Sequence, residues 1–206
     1  MSSVQPRPRT RKSPQQRSAE ILAAATELAP AQGLSALTLR AVADRAGVAS
    51  GLVAHYHPSM DETVAAVFDR LVGAEVAEVR DLLRSGPANE RLAVLFRTLL
   101  DGTRSDITLV WVEGWALGRQ NAPLADAIER QMRSWQVLMA GVIDDGIAAG
   151  EFSVADADAV AWQLLAMIDG LTAQALVRGS DPAPFLAQLA RAAEVLVGAR
   201  PGAIPA

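Results

Sequence analysis

TLRAVADRAGVASGLVAHYH, residues Thr38 to His57, constrains the fold more than any other part of the sequence. Thr38 is a helix N-cap for Leu39–Ala46, and Gly47 stops that helix. Ser50 is placed to cap a second short helix, Gly51–Tyr56, which His57-Pro58 closes. Two helices of about two turns around a tight glycine corner form the helix-turn-helix pattern. Ala43 and Gly47 let the helices approach closely, and Leu39, Val42, Val48 and Val53 supply an apolar wedge between them. Such a motif lays its second helix in the DNA major groove while the first crosses the backbone. Thr38 and the first amides of its helix, with Arg40, would then meet a phosphate. Ser50, Gly51 and Leu52 stand at the groove end, and His55 and Tyr56 reach toward bases or phosphates from the far end. The same motif also occurs as plain packing, so it needs support from elsewhere in the chain.

Outward from this stretch the signals are helical. MSSVQPRPRTRK, residues 1–12, reads as a disordered basic arm. Ser13-Pro14-Gln15-Gln16 starts a helix, and Ile21, Leu22, Ala25 and Leu28 give it one apolar face as far as Gly33. Pro30 should end or kink that helix early. Ser59-Met60-Asp61-Glu62 reads as a capping box, and valines at three- and four-residue steps predict a helix to about Leu83. Further helices are expected over 88–101, 104–118, 122–149, 154–178 and 182–198. The valines and tryptophan within 107–112 suit a strand, but no partner segment exists, so the chain reads as all-α.

Composition narrows the function classes. The chain has 206 residues and no cysteine, which excludes disulfide scaffolds, cysteine zinc sites, iron–sulfur clusters and thiol nucleophiles. The net charge of −4 hides a split. Residues 1–57 carry Arg7, Arg9, Arg11, Lys12, Arg17, Arg40 and Arg45 against Glu20, Glu27 and Asp44, a balance of +4. The rest stands at −8. A basic end on an acidic chain points to a polyanion partner, with a charged tail as the plainer reading. The N-terminus lacks the apolar stretch of a secretory signal. The longest uncharged run, Ala46–Met60, is shorter than the ~18 residues of a spanning helix. A soluble cytoplasmic protein with no membrane partner is expected.

From Arg17 to Phe68, the pattern T-L-R-x-V-A-x-x-A-G-V-A-x-G-L-V-x-H-Y-H-P-S-x-x-E resembles the DNA-binding domain of the TetR family of transcriptional regulators. The resemblance implies a helix-turn-helix domain over 13–58, a helical effector-binding and dimerisation bundle over 59–199, and a flexible tail over 200–206. It further implies a homodimer on palindromic double-stranded operator DNA, most often a repressor released by a small molecule, with Thr38, Arg40, Ser50, Gly51, Leu52, His55 and Tyr56 as DNA contacts. The long helix from Ser59 would transmit the switch. Asp169-Gly170-Leu171 lies in a helix similar to one of the family's dimerisation pair. Three positions depart from the pattern. Met60 replaces a phosphate-touching lysine, His57 replaces a core phenylalanine, and Ala54 replaces an aromatic residue. A helical small-molecule carrier and an architectural DNA protein remain as alternatives.

In the acidic part, Trp111 and Trp115 share one helix face, with Glu113 between them. Met132, Trp135 and Met139 repeat the spacing on the next helix, and Trp162 with Met167 lies on another. Together they read as the lining of an adaptable ligand pocket in which Glu113 selects a cation. Tryptophans at this spacing equally make a core or a dimer interface, and Glu113, two positions from each, then points to solvent. Nothing supports catalysis. Both histidines, His55 and His57, lie in the helix-turn-helix, and as i, i+2 neighbours they diverge, which makes them a poor metal pair. Phosphate-cradling glycine loops are absent. Asp144-Asp145 and Asp156/Asp158 read as solvated or capping acids. No catalytic residue, metal or cofactor is expected.

Overall fold

Helix-start signals in the sequence become real caps in the computed structural model, which describes residues 12–206; the arm's first eleven residues lie outside it. Ser13 Oγ accepts from Gln16 N at 3.2 Å, and Ser13 N donates back to Gln16 Oε1 at 2.9 Å. This complete capping box opens α1, Pro14–Gln32. Pro30 does not end the helix, which continues to Gln32. The last turn survives because Leu28 and Ala29 are buried and Gly33 N donates to Ala29 O at 2.8 Å. A 3₁₀ turn at Leu34–Ala36 leads to α2, Leu39–Ala46. Thr38 Oγ1 accepts from Ala41 N at 3.2 Å, so Thr38 is the cap of α2.

Gly47 takes the left-handed conformation (φ 65°, ψ 37°) that the corner requires, and its N–H returns to the last carbonyls of α2. α3 then covers Ser50–Tyr56. Ala49, not Ser50, is its N-cap residue, because Ala49 is the one with extended backbone; Ser50 already occupies the first helical position. Val42, Ala43 and Val53 are buried in the wedge and Val48 packs on it, whereas Leu39 is exposed.

The remaining helices form the bundle: α4 Met60–Leu82, α5 Ala88–Leu100, α6 Ser105–Gly118, α7 Ala122–Ala148, α8 Ala157–Arg178 and α9 Leu186–Leu196. Among the described residues there is no strand, and the β-prone stretch 107–112 lies within helix α6. Ser59 Oγ accepts from Glu62 N at 3.2 Å to start α4. Asp156 caps α8 through Ala159 N at 2.9 Å, and Asp145 pairs with Arg91 at 2.6 Å. α7 runs through the centre, packed on α4, α5, α6 and α8. Phe68, Phe96, Met139, Ile143 and Leu164 are fully buried around it. α8 is long and apolar enough to cross a bilayer by composition, yet one side packs on α5, α6, α7 and α9.

The C-terminal tail is anchored rather than flexible. Ile204 is buried, and its N–H donates to the buried carboxylate of Glu194 at 2.9 Å. Asn89 Nδ2 donates to Ala203 O at 2.7 Å. The apolar side chain at Ile204 carries the anchor, because a buried methyl group withdraws area from water and fills space. Ile204→Ala should lower stability by about 2–4 kcal/mol, read as a shift of the urea midpoint with an unchanged slope. An unshifted midpoint would show the tail to be free in solution.

Candidate functional site

Two sites stand out, one at each end of the chain. In the first, α2 and α3 present their exposed ends together: Thr38, Arg40, Ser50, Gly51 and His55 are exposed, while Leu52 and Tyr56 are half-buried. The Thr38 hydroxyl accepts from Ala41 N, which leaves its own proton free to donate. Arg40 is 90% exposed and only loosely paired with Asp44 at 3.9 Å. His55 meets the Tyr56 ring edge-on at 5.0 Å. His57 is half-buried where the pattern has its phenylalanine. Its Nε2 lies 3.1 Å from Ser18 O and 3.2 Å from Ser18 Oγ, so it ties the end of α3 to α1. Met60 packs against the core and offers no phosphate contact. Ala54 is exposed on α3, consistent with a vacated contact position.

Charge at this end depends on the arm. Residues 12–57 contain Lys12, Arg17, Arg40 and Arg45 against Glu20, Glu27 and Asp44, a balance of +1. Three of the four bases are committed: Lys12 and Arg17 pair with Glu20, and Arg45 pairs with Glu27 at 2.6 Å. Arg40 is the least constrained of them.

The second site is a cavity of about 320 Å³ enclosed by α4 to α8. Trp111, Trp115, Met132 and Trp135 line it, joined by Trp162 at its half-open mouth. The Trp111 and Trp115 ring centroids are 5.7 Å apart, and Trp111 packs T-shaped against Phe68 with centroids 5.0 Å apart. Glu113, Met139 and Met167 are not in the lining. Met139 is fully buried in the core and Met167 packs against it. Glu113 points the opposite way from the indoles, because residues two apart on a helix diverge. Its carboxylate accepts from Ser35 N at 2.8 Å and from Ser35 Oγ at 3.2 Å.

The acids in the cavity are Glu75 and Asp169. Burial pushes the Glu75 carboxyl up to about 7, against the pull of the Arg104 guanidinium and the Trp111 indole. Arg104 is itself divided, 3.7 Å from Glu75 and 2.7 Å from Glu78. Burial alone pushes Asp169 up to about 6, and no described cation pairs with it. Both acids had a signal in the sequence. Glu75 interrupts the buried stripe Val72, Val76, Val79, and Asp169 follows Leu165 and Ile168 on the apolar face of α8. A second cavity, of about 430 Å³, adjoins the first and shares Leu99, Arg104, Thr108 and Thr172 with it. No group of three or more metal-ligating side chains occurs among the described residues.

A helix-turn-helix head on a helical bundle with an apolar cavity is the architecture of a DNA-binding regulator. Residues 21–67 match the family model for bacterial regulatory proteins of the tetR family, and residues 88–198 match that for the C-terminal part of BetI-type transcriptional repressors. The chain belongs to the TetR family of transcriptional regulators. It is 23% identical over 133 residues to the fatty acid metabolism regulator protein of Bacillus subtilis, spanning 64% of this chain and 69% of that one. Among solved structures, it resembles a transcriptional regulator from Saccharomonospora viridis in complex with choline (TM-score 0.74, 26% identity, 85% of this chain and 94% of that one). It also shares the fold of FadR from Bacillus subtilis in complex with stearoyl-CoA (TM-score 0.67, 20% identity, 87% and 97% covered).

The raised Asp169 carboxyl has a consequence for stability. From the ordinary carboxylate range up to about pH 6, the unfolded chain sheds this proton while the folded chain keeps it. Asp169 therefore lowers stability progressively over that window, by an amount that levels off above it. Asp169→Asn should make the free protein more stable than its parent at about pH 8, by on the order of 1 kcal/mol given partial solvent access, and leave it equal near pH 4. Urea titrations at the two pH values check this; an equal gain at both would assign the effect to packing.

Proposed function

We propose that the chain is a ligand-responsive regulator, most simply a repressor, that binds a palindromic operator as a homodimer and is released by a small organic cation. The observation that carries the ligand class is Asp169, a carboxylate for which the described residues supply no cation, set in a cavity walled by Trp111, Trp115, Trp135 and Trp162. Indole faces attract cations by about 0.5–2 kcal/mol, and a buried carboxylate without a partner adds charge selection. The similarity to a choline-bound regulator supports the same class. A quaternary ammonium or protonated amine fits a cavity of about 320 Å³. An acyl chain is the second reading, favoured by the adjoining cavity with Arg104 at the seam and by the fatty acid regulator among the relatives. Arg104 is already engaged by Glu78 and Glu75, which leaves it less available to an acyl head group.

For the dimer, the support is the uncovered apolar side of the last two helices and the turn between them, with Trp162, Phe185, Val177 and Val195 exposed, the last two about 80%. A two-fold pairing there would set the two α3 helices about 34–36 Å apart, one turn of DNA. Thr38 and Arg40 would hold phosphate. Ser50, Gly51, Leu52, His55 and Tyr56 would face the groove, in the cytoplasm where the chromosome lies. Arg7, Arg9 and Arg11 of the arm, outside the described residues, would add sequence-independent attraction.

Tryptophan fluorescence titrations with choline, its uncharged carbon analogue 3,3-dimethylbutan-1-ol and decanoate test the ligand class. Choline should bind at about pH 8, lose at least about tenfold in affinity in Asp169→Asn, and weaken as the pH falls through 6 and the carboxylate takes its proton. Equal binding of the uncharged analogue, or preference for decanoate, would sink the cation. On a duplex selected in vitro, Arg40→Ala should weaken binding at every sequence alike and reduce the salt slope by about one. An unchanged slope would remove Arg40 from the phosphate contacts.

A further inference from the structure

α6 carries the cavity's Trp111 and Trp115 on one side and Glu113 on the other. The Glu113 carboxylate reaches the corner between α1 and α2, where it accepts from Ser35 N at 2.8 Å and Ser35 Oγ at 3.2 Å. Among the described residues, these are the hydrogen bonds that join residues 12–57 to the chain from Ser59 onward. The corner is shaped for the carboxylate. Gly33 has φ +82°, which strains any other residue, and a Cβ there would displace the Glu113 carboxylate. Ser35 is three residues from Thr38, the cap of α2.

We propose that Glu113 is a positioning residue that couples the cavity to the DNA-reading head. Its carboxylate clamps the 33–35 corner to α6, so a shift of the Trp111 and Trp115 wall on filling the cavity is delivered to Thr38 and α2. A charged acceptor suits this role, because two donors on one carboxylate fix direction as well as distance. α1 also packs on α4 and α6, but such side-chain packing can slide, whereas the two bonds of the carboxylate hold the corner to α6 in one direction. The trigger rests on the ligand reading above; the clamp itself does not.

The test is a cycle on the full-length protein with an operator duplex selected in vitro. One arm adds choline as the probe. The other fills the cavity without any ligand, by Thr108→Trp, or by Ala166→Phe at the exposed mouth should the first fail to fold. Filling either way should weaken operator binding of the parent by at least fivefold, within the usual 5–150-fold range of coupling between sites. In Glu113→Gln, free-state operator affinity should stay within about threefold of the parent, while the effect of filling falls below twofold. Ser35→Ala, which keeps the backbone donor, should fall between. A purely structural role would lower the melting temperature of Glu113→Gln and leave the filling effect intact, and that result overturns the proposal. So does a parent whose operator affinity ignores cavity filling. Failure of choline alone, with the filling variants behaving as expected, refutes the cation and leaves the clamp standing.

Discussion

Phe68 sits fully buried on α4 and packs T-shaped against Trp111 of α6, with ring centroids 5.0 Å apart. That contact fixes the rotation of α6 about its own axis, and much of the molecule's function depends on that rotation. With Trp111 held against α4, Trp115 one turn later continues the cavity wall, and Glu113 is necessarily turned toward the reading head. Turning α6 about half-way round its axis, roughly the 200° that two residues span, would put the carboxylate in the cavity and an indole at the 33–35 corner. Aromatic pairs of this kind contribute about 0.5–1.5 kcal/mol beyond their buried area, enough to favour one rotational setting of a short helix.

The cavity works against the stability of its own bundle. Glu75 and Asp169 sit where apolar residues would pack, and burial raises both carboxyls, to about 7 and about 6. For Glu75 the loss is partly offset by Arg104, which is shared with Glu78. Asp169 has no such offset among the described residues. The proposed cationic ligand would supply the missing partner of this acid. On that reading, the same residue would link low stability in the free state to selective binding in the occupied one.

The helix-turn-helix was legible because its determinants are local: a threonine cap at Thr38, a left-handed glycine at Gly47, and small buried residues at Ala43 and Val42. The bundle helices were legible for the same reason, within a few residues at each end. What failed was non-local. Leu39 looked like core and faces solvent; the 200–206 segment looked like a tail and is held by Glu194 and Asn89, residues from two other helices. Glu113 was singled out for the wrong partner. Proximity in sequence suggested the indoles, whereas helical geometry gave it Ser35, 78 positions away. Four tryptophans could be grouped by spacing, but Glu75, Arg104 and Asp169 join them only once α4, α6 and α8 are brought together. Their one local trace was an acid where the apolar stripe called for a valine or leucine.

Electrostatics at the DNA-reading end follow from the ion pairs rather than from the net count. Lys12, Arg17 and Arg45 are each tied to a glutamate of α1, so most of the positive charge on residues 12–57 is neutralised within the domain. These exposed pairs contribute little to stability, with typical values below about 1 kcal/mol. Of the three, Arg45–Glu27 joins α2 to α1. Among the described residues of the head, that leaves Arg40, 90% exposed and loosely held by Asp44, as the available cation beside the Thr38 cap. A single arginine and a helix N-terminus give a directed phosphate contact but little long-range attraction. The sequence supplies the remainder as Arg7, Arg9 and Arg11 ahead of the domain, which accounts for most of the +4 over residues 1–57. On the proposed reading, positioning and attraction would fall to different segments: the folded head would set where a phosphate is held, and the arm's charge would set how strongly any DNA is drawn to it.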